Sequence, residues 1–176
     1  MGREDTRRIA RDWMTAHIPP ASRVVIEPAV PSGFFGGRYT EGFGPRAKAS
    51  GTDAGSATRF ILALAPQRID AYRRAGYCTV VTMSLIRDRA IRGGNAEIAA
   101  YYRRLDRESR VVFRASPYRA GAKPVPFDFD FSTHLYEPSA YERPGPDIAV
   151  HRLARCRQGI GPTPLAPAAP VPPPAP

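Results

Sequence analysis

Apolar residues recur along this chain in two rhythms, one helical and one extended, and together they lay out its elements. Ile9, Ala10, Trp13, Met14 and His17 fall on one helical face behind Asp5-Thr6, a pair suited to cap a helix N-terminus. Ile18-Pro19-Pro20 stops that helix, because proline offers no amide donor and restricts the residue before it. Residues 23–27 (RVVIE) are β-branched and predict a buried strand. The continuous apolar run 60–64 (FILAL) predicts another. Residues 67–75 place Ile69, Tyr72 and Arg73 at helical spacing and end before Gly76, a fitting C-terminal cap. Residues 77–84 (YCTVVTMS) are the clearest strand. Asn95 caps a helix to about Asp106, with Ile98, Ala99, Tyr102 and Leu105 as its buried stripe. Strands at 111–115 and 148–153 complete the set.

Strand and helix alternate in the βαβ rhythm of an α/β layered domain: a mixed, mainly parallel sheet of four or five strands flanked by helices. The last strand follows an irregular stretch without a helix, so it is expected to return antiparallel along an edge. Residues 111–115 would then lie between it and residues 77–84. The folded unit is expected over 5–158, with a Gly-rich excursion at 28–57 that is too long and aperiodic for an ordinary connection. That excursion reads as a lid-like loop or a disordered insert. Residues 159–176 read as a Pro/Ala-rich disordered tail: from Pro162 onward there is no charged residue, and eight of the 20 prolines sit there.

Charge changes the picture less than its size suggests. Lys and Arg outnumber Asp and Glu by 26 to 16, for a net charge of +10. The arginines are dispersed as singles and pairs (Arg7-Arg8, Arg73-Arg74, Arg103-Arg104), whereas nucleic-acid binders concentrate charge on one face or in a tail. Solvated helix faces account for the pattern better than a specific nucleic-acid partner, and attraction to an anionic lipid surface is a further reading. Tyr101-Tyr102 beside Arg103-Arg104 resembles a base-stacking pair, but Tyr102 belongs to the buried stripe. No apolar run reaches the roughly 20 residues that span a bilayer. Residues 1–12 are charged throughout, with no apolar signal core behind them.

Candidate chemistry is sparse. His17, His134 and His151 match no zinc spacing, and His151 is expected to face solvent next to Val150 on its strand. Asp128 and Asp130 share a face if extended, but no third ligand follows at metal spacing, so phenylalanines packing inward with aspartates paired to arginines is the better account. Ser84 lacks the flanking glycines of a nucleophile elbow, and Gly33, Gly36, Gly37, Gly42 and Gly44 match no phosphate-binding loop. No cofactor, metal or catalytic residue is expected. Glu27, Ser84, Arg87, Asp88 and Arg89 stand at or after the carboxyl ends of predicted parallel strands, the edge where open α/β sheets bind ligands.

Three stretches carry a resemblance over most of the folded part: DTRRIARDWMTAHIPPASRVVIEP at the start, YRRAGYCTVVTMSLIRD in the middle, and SPYRAGAKPVPFDFDFS with YERPGPDIAVHRL near the end. Together they resemble the C-terminal soluble, extracytoplasmic domain of bacterial lipid-linked-sugar membrane glycosyltransferases, in the protein mannosyltransferase-like superfamily. Met83 and Ile86 stand where that pattern would have a second serine and a tyrosine. The resemblance implies a non-catalytic accessory domain that packs over a membrane glycosyltransferase portion or aids acceptor engagement, on the extracytoplasmic face. The competing reading is a free-standing, cytoplasmic basic module for nucleic acid or anionic lipid. A small enzyme using the strand-end cluster is a third.

The two cysteines bear on that choice. Cys78 begins its strand and Cys156 follows the last one. Neighbouring strands lie about 4.8 Å apart and a disulfide needs Cα atoms within roughly 7 Å. With residues 111–115 placed between their strands, the bond depends on how residues 154–156 turn. An oxidising compartment favours it, and a cytosolic one keeps both thiols free.

Overall fold

A computed structural model of the chain describes residues 3–27, 40–43, 64–125 and 138–161, the second of these by its backbone. Its elements in order are α1 (Thr6–His17), β1 (Arg23–Ile26), β2 (Thr40–Phe43), α2 (Arg68–Arg74), β3 (Thr79–Met83), α3 (Ser84–Arg92), α4 (Ala96–Glu108), β4 (Ser109–Ala115) and β5 (Ile148–Leu153). The sheet runs β2-β1-β3-β5-β4. The expected α/β domain with a mixed sheet is present, but the sheet is not mainly parallel. β1 pairs in parallel with β2 and β3, whereas β5 pairs antiparallel with both β3 and β4.

The position of β5 is the main correction. It does not run along an edge with β4 inside it; it fills the place between β3 and β4. Burial explains the difference. All of β5 except Arg152 is buried, as a strand covered on both faces must be. In β4, Arg110, Val111 and Arg114 are exposed, as suits an outer strand, and its register slips between Val111 and Phe113.

Alternation assigns the two faces. Val24, Ile26, Val81, Met83, Ile148 and Val150 meet Ala10, Met14 and Ile18 of the α1 segment. Val25, Val80 and Leu153 meet Ile69 and Tyr72 of α2 and Tyr101, Tyr102 and Leu105 of α4. The α4 stripe therefore includes Tyr101, which the spacing did not single out. Its N-terminus is capped as expected, the Asn95 side chain accepting from the Ile98 amide at 3.0 Å. α3 was not expected: β3 passes into it at Met83/Ser84 without a loop.

Two segments 140 residues apart close the layer under α1. The Thr6 amide donates to Pro144 O at 3.0 Å, and its hydroxyl donates to Pro146 O at 2.7 Å. Gly145 has φ +104, and a Cβ there would run into Thr6 Oγ1 and the Asp5 carboxylate. Only glycine suits this turn.

Residues 159–161 belong to the folded unit rather than to the tail. Gly159 N donates to Gly76 O at 2.8 Å, and Arg23 N donates to Gly159 O at 3.0 Å. In the 28–57 excursion, Thr40–Phe43 forms a strand beside β1 where only a loop was expected. The rest of that excursion, the predicted strand at 60–64 save for the buried Leu64, and Asp128, Asp130 and His134 lie outside the described residues. So does the tail from Pro162.

Because β5 is next to β3 and antiparallel to it, Cys78 and Cys156 come together at one end of the pair. They form a disulfide with a Cα–Cα distance of 5.5 Å. The sheet order expected from the sequence, with a strand between them, is overturned. The bond closes a sequence separation of 78 residues, which in the chain-entropy account is worth about 4 kcal/mol. Reduction, or the double substitution Cys78→Ala/Cys156→Ala, is expected to lower the unfolding free energy by about 2–4 kcal/mol in urea titrations. Gly145→Ala is expected to lower the thermal midpoint through a cost of at least about 1 kcal/mol, read by calorimetry.

Candidate functional site

Glu27 prolongs β1 by one residue, its amide donating to Val81 O at 3.1 Å. Period-two alternation then turns its side chain to the same face as Val25, under the helices. There it is wholly buried. Oε2 accepts from the Met83 amide at 3.0 Å. Oε1 has no hydrogen-bond partner, and neither have the hydroxyls of Tyr72, Tyr101 and Tyr102. All three phenols lie within electrostatic reach of the carboxyl. Tyr102 is close enough to ease its ionisation, though without good hydrogen-bond geometry.

Burial dominates this cluster. It pushes the Glu27 carboxyl up to about 7, against the smaller opposing pull of Tyr102, the Met83 amide and the Arg87 guanidinium. It also pushes the Tyr72 phenol up to about 12 and those of Tyr101 and Tyr102 higher still. The phenols are neutral throughout the ordinary pH range, and Glu27 is the group poised to change charge near neutrality.

The other expected site residues separate. Ser84 begins α3 and is tied to the entry of β5: its amide donates to Asp147 O at 2.9 Å, and its Oγ accepts from the Asp147 amide at 3.1 Å. Arg87 makes a two-pronged pair with Asp106, at 3.0 and 2.6 Å, and lies 5.4 Å from the centroid of the Tyr102 ring. Asp88 is exposed; partial desolvation raises its pKa, against the opposing pull of Arg92 and Arg87. Arg89 lies on α3, with its side chain outside the described residues. The structure thus brings Glu27 and Arg87 together around Tyr102, and gives Ser84 to the sheet.

His151 is a correction. It does not face solvent: it is 1% exposed, on the helix-covered face of β5. Ser109 Oγ donates to Leu105 O at 2.6 Å, which leaves it to accept from His151 Nδ1–H at 3.0 Å. Nε2 is then the acceptor for the Thr82 hydroxyl at 3.2 Å. Burial pushes the imidazole down to about 4; Asp106 opposes this, and Arg87 and Arg114 add to it. The alternating strand could not reveal this, because the exposed reading assumed an edge position for β5. The spacing marks Tyr72 only as one position of a helical stripe and places Tyr101 in none; their unpaired hydroxyls beside Glu27 set them apart.

Among the described residues no group of three or more His, Cys, Asp or Glu side chains is placed to hold a metal ion. No described helix is long and apolar enough to cross a membrane. No protein family, curated protein or solved structure matches the chain.

Glu27 and His151 tilt stability in opposite directions. The raised carboxyl contributes stability present below pH 4.5 and lost as pH rises through about 7. The depressed imidazole contributes stability present above pH 6.5 and lost as pH falls through about 4. Each shift corresponds to about 3 kcal/mol, so the two slopes largely cancel between them. Urea titrations across pH are expected to show this in the variants. Glu27→Gln should make stability rise with pH over the window from 4 to 6.5 set by His151. His151→Gln should make it fall with pH from 4.5 to 7 through Glu27. Variants whose pH profiles run parallel to the wild type would contradict the assignment.

Proposed function

We propose that the chain is a non-catalytic accessory domain of a polyprenyl-phosphate-sugar-dependent membrane glycosyltransferase. In this reading it stands on the extracytoplasmic face and packs over the membrane portion or aids acceptor engagement. The observation that carries the reading is the Cys78–Cys156 disulfide, the mark of a protein that matures in an oxidising compartment. It sits at one end of the β3–β5 pair, between the middle and the last of the stretches that resemble that family. The first and last of those stretches also meet, at Asp5-Thr6 against the turn around Gly145.

The alternative, a free-standing basic module for nucleic acid or anionic lipid, draws less support. Many of the arginines that motivate it have partners inside the fold. Arg73 and Arg104 engage Asp70 and Glu108, Arg87 engages Asp106, Arg114 engages Asp147, and Arg3 and Arg143 engage Glu142. Tyr101 and Tyr102, the candidate stacking pair, are 0% and 1% exposed and have no face to offer a base.

An antibody to the chain separates the readings in fractionated source cells. The expected result is a membrane-bound protein, degraded by protease added outside intact spheroplasts, with both cysteines blocked until reduction. A cytosolic, protease-protected protein with two free thiols would overturn the proposal.

A further inference from the structure

Residues 154–161 run as a strap across one end of the sheet, from β4 to β1. The Ala154 amide donates to Glu108 O at 2.9 Å, and Cys156 is bonded to Cys78. The Gly159 amide donates to Gly76 O at 2.8 Å, and the Gly161 amide to Ala21 O at 2.9 Å. That end also receives the last turns of α2 and α4 and the first residues of β1 and β4. Arginines dispersed along the sequence meet there. Arg107 stands in the last turn of α4, Arg110 near the start of β4, and Arg155 and Arg157 on the strap. All are exposed, and among the described residues none of their side chains has a carboxylate partner.

The acids nearby are engaged inside the fold. Asp70 and Glu108 serve Arg104 and Arg73, and Asp106 serves Arg87. The carbonyl ends of α2 and α4 are covered as well: Arg23 donates to Ala75 O at 2.8 Å, and the Ala154 amide to Glu108 O. The cationic surplus is therefore uncompensated. Local backbone does not select it either, since Arg155 adopts φ +53, a region that glycine or asparagine enters more readily. Further along the strap Ile160 is 57% exposed, the most open large apolar side chain among the described residues.

An apolar side chain set among unpaired cations suits an anionic bilayer. Guanidinium groups pair with phosphate headgroups while the aliphatic chain enters the acyl boundary. Nucleic acid suits the surface less. The Cys78–Cys156 bond is the mark of an oxidising compartment, and Tyr101 and Tyr102 have no face for base stacking. We propose that this end of the sheet, centred on residues 154–161, docks on an anionic phospholipid surface. This rests on the accessory-domain reading, which sets a bilayer beside the domain, and it names the face turned to the lipid. The carboxyl ends of β1 and β3, with Glu27 and Ser84, then point away from the bilayer.

Sedimentation of the full chain with vesicles at low salt tests the docking face. The vesicles are an equal mixture of phosphatidylglycerol and phosphatidylcholine, or phosphatidylcholine alone. Binding is expected to the anionic vesicles only, and to weaken as salt rises. Two charge-matched double variants carry the decision. Arg155→Gln/Arg157→Gln is expected to bind about 25-fold more weakly, at about fivefold for each cation near the surface. Arg119→Gln/Lys123→Gln removes the same charge from exposed positions beyond the opposite end of β4, and should change binding less than about twofold. Arg107→Gln/Arg110→Gln should repeat the strap result from other elements, and Ile160→Ser should weaken binding several-fold at any salt. Equal losses in the strap and control doubles would reduce the effect to net charge and overturn the proposal, as would undiminished binding to phosphatidylcholine. Tighter binding to a single-stranded oligonucleotide than to the vesicles, lost in the same arginine variants, would give the surface to nucleic acid instead. Unchanged thermal midpoints are expected; should one arginine double lose stability, the other decides. A membrane-bound domain indifferent to these arginines lacks only this face, whereas a cytosolic, protease-protected one loses the accessory reading.

Discussion

The domain depends on the insertion of β5 between β3 and β4. Those two strands are joined by two helices and leave a one-strand gap, so until β5 arrives the sheet is split into a parallel portion and a lone outer strand. β5 fills the gap with five buried residues out of six, pairing on both sides. Its approach is fixed as well as its place. Pro144 and Pro146 accept from Thr6 at the start of α1, and Asp147 is clasped by Ser84 at the start of α3. Beyond its far end Cys156 is bonded to Cys78, just before β3. One strand therefore holds both helix layers to the sheet, and these contacts all span long stretches of chain. Such long-range closure is costly in entropy before it is rewarded by burial, which is why a covalent link at its end has value.

Polar groups and apolar packing meet on the face of the sheet under α2 and α4. The α1 face of the sheet is almost purely apolar, with Met14, Val24, Ile26, Val81 and Val150 in contact. The opposite face carries Glu27, Thr82 and His151 among its apolar residues. The imidazole is satisfied on both nitrogens by Thr82 and Ser109, so its burial enforces neutrality and little else. Glu27 is satisfied on one oxygen only. A fully paired buried polar group specifies a structure, whereas a half-paired one leaves the fold sensitive to its ionisation. That contrast between neighbouring residues on one face is what singles out Glu27.

Much of the fold is legible in local pattern. Asp5 and Asn95 cap their helices, Ile69 and Tyr72 are buried, and the runs around Val25, Val80, Val112 and Val150 are strands. The sheet order is not legible, because alternation says which residues are apolar but not which strand is covered twice. Arg110 and Arg114 flanking Val111–Phe113 were a usable sign that β4 is outermost. α3 escaped because SLIRDRAIR lacks both a cap signal and a sustained apolar stripe; it continues directly from β3, with Leu85 and Arg87 partly buried and Arg87 paired to Asp106 of α4. At the site, strand-end position drew attention to Glu27 and Arg87 as part of a ligand-binding edge; the structure places Glu27 among buried tyrosines and Arg87 over the Tyr102 ring. Position alone could not reveal the phenols, since a tyrosine in a helical stripe looks the same whether its hydroxyl is paired or not.

The excess of arginine has a structural reading that composition conceals. Arg23 sends three nitrogens to the carbonyls of Ala75, Ile160 and Gly161, stitching the segment after β5 to the start of β1. Arg73 and Arg104 bracket Glu108 and Asp70, joining α2 to α4 above the tyrosine cluster. A planar guanidinium with five fixed donors can close several carbonyl or carboxylate ends at once, where a lysine would serve as a point charge. These partners are mostly half-exposed, so each pair contributes little alone. Their effect lies in arrangement: the Asp70–Arg104–Glu108–Arg73 group fixes α4 near its C-terminal end, while Arg87–Asp106 is the pair that binds α3 to α4. Within that arrangement only Arg87 also feels the buried carboxyl. The same residue type thus ties the C-terminal part of α4 to α2 on one side and to α3 on the other.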